Sequence, residues 1–263
     1  MRSASRSEGA PRDLSRDLAP LAPYASALTD HMAGDEAATL VVHSSLGEFD
    51  DLPVRVFFRD EVDFFSFEQA ALELCRGRVL DAGAGTGVHA LELQRRGFEV
   101  RAIDVLPEAV AIMRGRGVLD AVRADLFELE DERFDTVLML MNGIGPVGTI
   151  GELRSFFETA RRLLAPNGQV LVDSGEAMIC EPPAGAPKLV WPPPTSEGYR
   201  GEAWIRLEYA GDIGPPFREL YLGAEEMMAH AALCGWRCDI AHTDDSGAFL
   251  ACLRPGRAIA RRT

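Results

Sequence analysis

The stretch Val79-Leu80-Asp81-Ala82-Gly83-Ala84-Gly85-Thr86-Gly87-Val88-His89-Ala90-Leu91, followed by Val100-Arg101-Ala102-Ile103-Asp104, decides the fold. It reads as a buried strand, a glycine turn, a helix, and a second strand ending in an acid. That is half of a nucleotide-binding βαβ unit. Glycines at alternate positions let the backbone turn sharply and let a ligand lie against it with no Cβ in the way. Asp104 stands 17 residues after Gly87, where a carboxylate can accept two ribose hydroxyls.

The spacing discriminates between ligands. A dinucleotide turn follows G-x-G-x-x-G, but the sixth position counted from Gly83 is Val88, and the pattern present is D-x-G-x-G-x-G. An acid two residues before the first glycine repels a pyrophosphate and suits a cation. S-adenosylmethionine (SAM) carries a sulfonium and an ammonium and no phosphate. A ligand-free tight turn would also use glycines, but it needs neither Asp81 before them nor Asp104 after them. Over roughly residues 75–175, and more loosely to about 254, the chain resembles the class I SAM-dependent methyltransferases, in particular bacterial ones sharing an Asp-Ala-Gly-Ala-Gly turn and a Met-Asn-Gly-Ile-Gly segment.

Working outward, strand and helix alternate. Residues 78–82 and 99–103 read as strands and 88–96 as a helix ended by Gly97; Pro107 opens another helix to about Arg116. Residues 121–123 and the continuous apolar run 135–141 read as further strands, 152–164 as an amphipathic helix and 169–173 as the fifth strand. This order predicts an α/β fold: a doubly wound, mostly parallel sheet. The resemblance implies seven strands, Rossmann-like, closed by the pair 236–243 and 247–253, one of them antiparallel. Ahead of it, 21–32 reads as a helix, 39–42 and 54–58 as strands, and Ser66 as the cap of a helix over 67–75. After Ser174, Pro182, Pro183, Pro187, Pro192, Pro193 and Pro194 exclude regular helix or central strand. Residues 203–209 and 218–222 then suit a hairpin, and 224–233 a helix. The domain plan is a disordered leader (1–20), an N-terminal cap (21–75), a SAM-binding domain (76–254) carrying a proline-rich loop and hairpin insertion (175–222), and a basic tail (255–263).

Composition narrows the function. A hydrophobic share of 47% and a charged share of 26% suit a soluble globular protein, and no apolar run approaches the ~20 residues of a membrane span. The leader has no apolar core, so it is not a secretory signal, and a cytoplasmic location is expected. The net charge is −14, and residues 21–253 hold 19 basic and 38 acidic side chains. Such a body disfavours sequence-independent nucleic-acid binding, which needs phosphate neutralisation. Five cysteines without a C-x-x-C suggest reduced thiols and no metal site. Oligomeric state has no handle in the sequence.

Ligands in such sheets sit outside the carboxyl ends of the strands. The resemblance implies that Asp81, Ala82, Gly83, Gly85 and Gly87 lie against the methionine part of SAM, that Asp104 holds the ribose, and that Val105 packs on the adenine. It further implies that Asp125 and Leu126 meet the adenine, and that Met141 and Asn142 stand where SAM and acceptor meet. Each acid could equally be a solvated strand cap, and Asn142-Gly143 is also an ordinary turn pair. The Pro-Pro-aromatic clamp of base and protein-amide N-methyltransferases is absent after Asn142, where the chain reads Gly-Ile-Gly-Pro. His89, just past the glycine turn, is the general-base candidate beside Asn142, and it could equally be a packed core histidine. Phe58, Arg59, Tyr24 and Tyr199 are substrate candidates; the aromatic cluster at 57–67 is otherwise simply core. The expected function is methyl transfer from SAM, with S-adenosylhomocysteine as product, by in-line displacement to a small-molecule or peptide acceptor, for instance in specialised metabolism. Two readings compete: a non-catalytic SAM-fold scaffold, and an NAD-dependent oxidoreductase, which Val88 and Asp81 oppose.

Overall fold

A computed structural model describes residues 18–47, 49–130, 132–181, 188–193 and 199–256. The sequence-level leader through residue 17, the tail from residue 257, and Pro182, Pro183, Pro187 and Pro194 lie outside them.

The chain opens with α1 (Ala22–Met32), β1 (Thr39–Ser44) and β2 (Phe49–Pro53), then α2 (Ser66–Leu74). The alternating part follows: β3 (Val79–Ala82), α3 (Val88–Arg95), β4 (Val100–Asp104), α4 (Pro107–Arg116), β5 (Ala121–Arg123), β6 (Phe134–Met139), α5 (Leu153–Leu163) and β7 (Leu164–Ser174). Then come β8 (Glu202–Tyr209), β9 (Asp212–Ile213), β10 (Phe217–Leu220), α6 (Ala224–Leu233), β11 (Trp236–Thr243) and β12 (Phe249–Pro255).

Seven strands form one sheet in the order β11-β12-β7-β6-β3-β4-β5. β3 to β7 pair in parallel and β12 runs antiparallel between β7 and β11. The expected doubly wound Rossmann-like sheet is therefore present. Its strands are apolar on both faces because both faces are covered. Leu171 and Leu250 pack with Leu72 and Leu93 on one side, and Val170, Val172 and Leu253 pack with Phe156 and Phe157 on the other. The strand order reverses between β3 and β6, so their carboxyl ends flank the crevice where such sheets bind ligands.

A second sheet, β10-β8-β1-β2, is wholly antiparallel, with the short β9 on β8. It joins the N-terminal segment to the hairpin after β7: Val42 sits opposite Leu207, and Leu40 opposite Leu52. Leu40, Ile205 and Leu207 share a core with Leu28 of α1 and with Ala109 and Ile112 of α4, which seats this sheet over the glycine-turn end of the large one.

Two local expectations are corrected. Residues 54–58 are not a strand: β2 ends at Pro53, and Val54–Phe57 form a 3-10 turn closed by the Phe58 N–H on the Arg55 carbonyl at 2.9 Å. Tertiary contacts override β-propensity there, since the Phe57 carbonyl accepts the Thr86 hydroxyl and the Val56 carbonyl accepts Arg59. Ser66 is not the cap of α2: the Phe65 N–H is taken by Glu68 at 2.7 Å, and the Ser66 hydroxyl meets His242 Nε2 at 2.8 Å.

Candidate active site

The glycine turn is left-handed at each alternate position, with φ of 73° at Gly83, 54° at Gly85 and 83° at Gly87. Gly87 has a second constraint: a Cβ there would lie 2.8 Å from the Val118 side chain. The turn is tied to β4, because the Ile103 carbonyl accepts the Gly83 and Ala84 N–H groups at 2.9 Å. Asp104 continues the tie. Its two oxygens accept the N–H groups of Gly85 and Leu106, each at 2.9 Å. Burial raises the Asp104 pKa, and the backbone hydrogen bonds only partly offset this.

Tyr24, on α1, reaches down onto this turn; a Cβ on Gly85 would lie 3.2 Å from its hydroxyl. Burial and then the charge of Asp104 push the Tyr24 pKa up, so the phenol stays protonated above that carboxylate. Asp81, 2% exposed, leaves one carboxylate oxygen without a hydrogen-bond partner. Burial lifts its pKa from the ordinary 3.8 to about 6, against the lowering effect of His89 and the Ala90 N–H.

Behind the turn lies an ion network that sequence reading missed. Glu68, fully buried, holds His89 Nε2 at 2.6 Å and the Arg59 guanidinium. Burial would raise the Glu68 pKa, but His89 and then Arg59 outweigh it and hold it below the ordinary value. Arg59 also stands 4.8 Å over the Phe65 ring and 3.3 Å from Met141 Sδ. It lines the cleft as an already paired cation. Nothing marks Glu68 in the sequence, because the residue it caps is a phenylalanine.

At the end of β6, Met141 and Asn142 are both left-handed, with φ of 68° and 56°. Non-glycine residues hold that conformation only when the surroundings impose it. Here Asp173 does so: its oxygens accept the Asn142 N–H at 2.9 Å and the Gly143 N–H at 2.8 Å. Burial nevertheless raises the Asp173 pKa to about 6. The next position admits only glycine, since a Cβ on Gly143 would lie 2.0 Å from the Met139 carbonyl oxygen. The Asn142 amide donates to Glu219 at 3.2 Å, while its own oxygen is buried without a partner.

These segments meet at a cavity of about 360 Å³ between the glycine turn and the inner face of the antiparallel sheet. Of the residues expected at the site, Asp81, Gly83, Gly85, His89, Met141, Arg59 and Tyr24 line it. Asp104, Ala82 and Asn142 do not line it, and Gly87 serves to pack α3 on α4. Phe58 faces a separate hollow, tilted against His31 with centroids 4.5 Å apart; its neighbour Phe57 is the one in the cavity. Tyr199 lies outside and donates to the Tyr221 carbonyl at 2.8 Å, holding a residue that does line the cavity. Val105 and Leu126 are half-buried against hydrophobic clusters, and Asp125 caps its own turn by accepting the Phe127 N–H at 2.9 Å. Asp50, Glu219 and Tyr221 in the wall were not foreseen. Alternation along 217–221 puts Phe217, Glu219 and Tyr221 on one face, but only the assembled sheet shows which way that face points.

Comparison with known proteins agrees with this geometry. Residues 79–168 match a methyltransferase domain family. The crystal structure of a SAM-dependent methyltransferase from Bacteroides fragilis, in complex with S-adenosyl-L-homocysteine, is similar at a TM-score of 0.79 and 36% identity, covering 90% of this chain and 96% of that one. Among curated proteins, the putative methyltransferase YqeM of Bacillus subtilis is 28% identical over 106 residues, 37% of this chain and 42% of that protein. The ubiquinone biosynthesis O-methyltransferase of Xanthomonas oryzae pv. oryzae is 39% identical over 59 residues, 22% of this chain and 25% of that protein. The match thus spans less than half the length of these curated relatives, whereas the likeness to the Bacteroides protein covers nearly the whole of each chain. The chain belongs to the SAM-dependent methyltransferases.

Proposed function

We propose that this chain transfers a methyl group from SAM to a small-molecule acceptor seated in the cavity between the glycine turn and the antiparallel sheet. The observation that carries the reading is the cavity itself. Its floor is the turn and the end of β6, its roof is apolar sheet, and its 360 Å³ falls within the usual range of ligand pockets.

The residues present fit SAM. The unpartnered Asp81 oxygen is a ready acceptor for an ammonium. A Cβ on Gly83 would meet nothing within 4 Å, so the space over the turn is open. Asp104, under Tyr24, would take ribose hydroxyls, and Asp125 with Val105 and Leu126 would stand at the adenine end. When bound, SAM supplies an electrophilic methyl on a cationic sulfur, and the leaving group is a neutral thioether.

The chain's task is then alignment and dryness more than charge relay. Leu40, Val42, Leu52, Ile205, Leu207 and Phe217 form a wall that keeps water from the reacting line. The left-handed Met141–Asn142 pair, clamped by Asp173, fixes the acceptor side. His89 is a positioning residue, because its Nε2 is committed to Glu68.

The test is calorimetric titration with S-adenosylhomocysteine of the wild-type chain and Asp104→Ala. Micromolar binding should weaken by about 10- to 100-fold in the variant, the worth of lost hydrogen bonds to a charged group. A folded wild-type chain that binds no S-adenosylhomocysteine would overturn the reading and favour a non-catalytic scaffold.

A further inference from the structure

Phe57 reaches the cavity from a 3-10 turn, not from a sheet strand, so its place depends on what holds that turn. The Thr86 hydroxyl, in the buried glycine turn, donates to the Phe57 carbonyl. The Phe57 ring meets Tyr24 edge-on, with centroids 5.0 Å apart and planes at 71°. Tyr24 in turn sets its hydroxyl over Gly85. The contacts form a closed circuit from the glycine turn through Phe57 and Tyr24 and back again. Tyr24, Phe57, Gly85 and Thr86 all line the cavity.

One cation outside the cavity fastens this circuit. Arg116, the last residue of α4, donates through Nη1 to the Thr86 carbonyl at 2.9 Å and to the Thr86 hydroxyl at 2.7 Å. Its Nη2 donates to the Phe58 carbonyl at 3.4 Å, and its guanidinium stands 5.3 Å over the Phe58 ring. Arginine has no acceptor, so the Thr86 oxygen must accept from it and turn its own proton to Phe57. Arg116 is half-buried, and burial lowers its pKa against the pull of Asp60. Desolvating a guanidinium costs free energy unless its donors are used. Here they go to acceptors on two separate segments, the glycine turn and the one carrying Phe57 and Phe58. An apolar side chain would pack on Phe58 as well, but only a planar fork of donors joins both segments at once.

Resting on the SAM-site reading above, we propose that Arg116 is a positioning residue for the cofactor. It acts through Thr86 to hold Phe57 and Tyr24 over the glycine turn before SAM arrives. The roof of the cofactor site is then ordered in advance, and binding does not have to supply the free energy of ordering it. Without the guanidinium, the Thr86 hydroxyl loses its fixed direction and the Phe58 carbonyl loses a donor. Residues 54–58 then sample other positions. The cofactor binds only those molecules whose roof is in place, and the apparent affinity falls by that fraction.

The experiment uses the full chain, with S-adenosylhomocysteine as the probe. Calorimetry is run on the wild type, Arg116→Met, Thr86→Val and the double variant, with hydrogen exchange on each, with and without the probe. Arg116→Met keeps the stem and removes the fork. It should bind the probe about tenfold more weakly, although Arg116 does not line the cavity. Before the probe is added, residues 22–28 and 54–58 should exchange faster in that variant while β3, β6 and β7 keep their wild-type protection. Saturation with the probe should restore the slow exchange. The double variant should bind no more than about twofold more weakly than Thr86→Val alone, because Arg116 acts through Thr86. Arg116→Lys keeps the charge but cannot bridge the two segments. It should lose about threefold, and it is the second variant should the first not fold. Affinity within about twofold of wild type in both Arg116 variants, losses that add in the double variant, or faster exchange spread evenly over the core strands would overturn the proposal. A wild-type chain that fails to bind S-adenosylhomocysteine would instead overturn the reading on which it rests.

Discussion

At the scale of single residues, Asp81 sets folding against ligand binding. Its carboxyl titrates at about 6 in the folded chain, against an ordinary 3.8, because it is buried. A carboxyl with a raised folded pKa opposes folding while ionised. The penalty is full above pH ~6 and relaxes as pH falls toward ~4, where the unfolded chain also takes up the proton. Asp81→Asn should therefore stabilise the ligand-free protein at pH 7.5 by roughly 1–3 kcal/mol, a gain of about 5 °C in Tm. Thermal melts from pH 7.5 to pH 4 should show that gain shrinking toward zero. Affinity for S-adenosylhomocysteine should run oppositely: weaker for the wild type at pH 5 than at pH 7.5, and weak and pH-insensitive in the variant. A wild-type affinity that does not change between those pH values would remove Asp81 from the ammonium site.

Among the elements, α2, α3 and the 3-10 turn before α2 are held together by one buried acid. Side-chain exposures of 0% for Glu68, 7% for Arg59 and 6% for His89 mean that none of the three groups is solvated. Removing one member of such a group leaves its partners uncompensated in low dielectric, at a cost of about 3–5 kcal/mol. Glu68→Ala should lower the Tm by about 10 °C. The double variant Arg59→Met/Glu68→Leu should lose less than that single change, because it leaves no unpaired guanidinium. Chemical denaturation of both checks this, and a double variant less stable than the single one would contradict it. The same region explains why residues 54–58 read as a strand. Val54, Val56 and Phe57 have β-propensity, but their carbonyls and side chains are claimed by Arg59, Thr86 and the core around α1. Helix ends set by local chemistry were legible by contrast: Gly117, at φ of 101°, closes α4 as its sequence position suggests.

For the molecule as a whole, the antiparallel sheet is the part that no local pattern announces. β1 and β8 lie about 160 positions apart, with the entire parallel core between them, and each is a central strand of that sheet. Closing such a contact costs loop entropy that only the finished core repays. Val42→Pro removes a ladder N–H from β1 and should cost ~3 kcal/mol. Hydrogen exchange should then show residues 39–44 and 203–208 losing protection together while β3, β6 and β7 keep theirs. Undiminished protection in β8 would mean that the two strands are not one cooperative unit.

What the chain determines by itself is whatever local spacing encodes. The D-x-G-x-G-x-G turn, the acid 17 residues on, and apolar runs in strand-helix alternation are enough for the doubly wound sheet and for SAM as its partner. Alternation likewise marks 203–209 and 218–222 as hairpin strands. Only the tertiary structure decides that this hairpin pairs with β1, that Phe57 rather than Phe58 enters the cavity, that Arg59 and His89 are spent on Glu68, and that Asp50 and Glu219 line the cavity. The physical reason is range. The cofactor turn is built from neighbours a few residues apart, whereas the far wall of the cavity is assembled from segments whose proximity depends on the packed core between them.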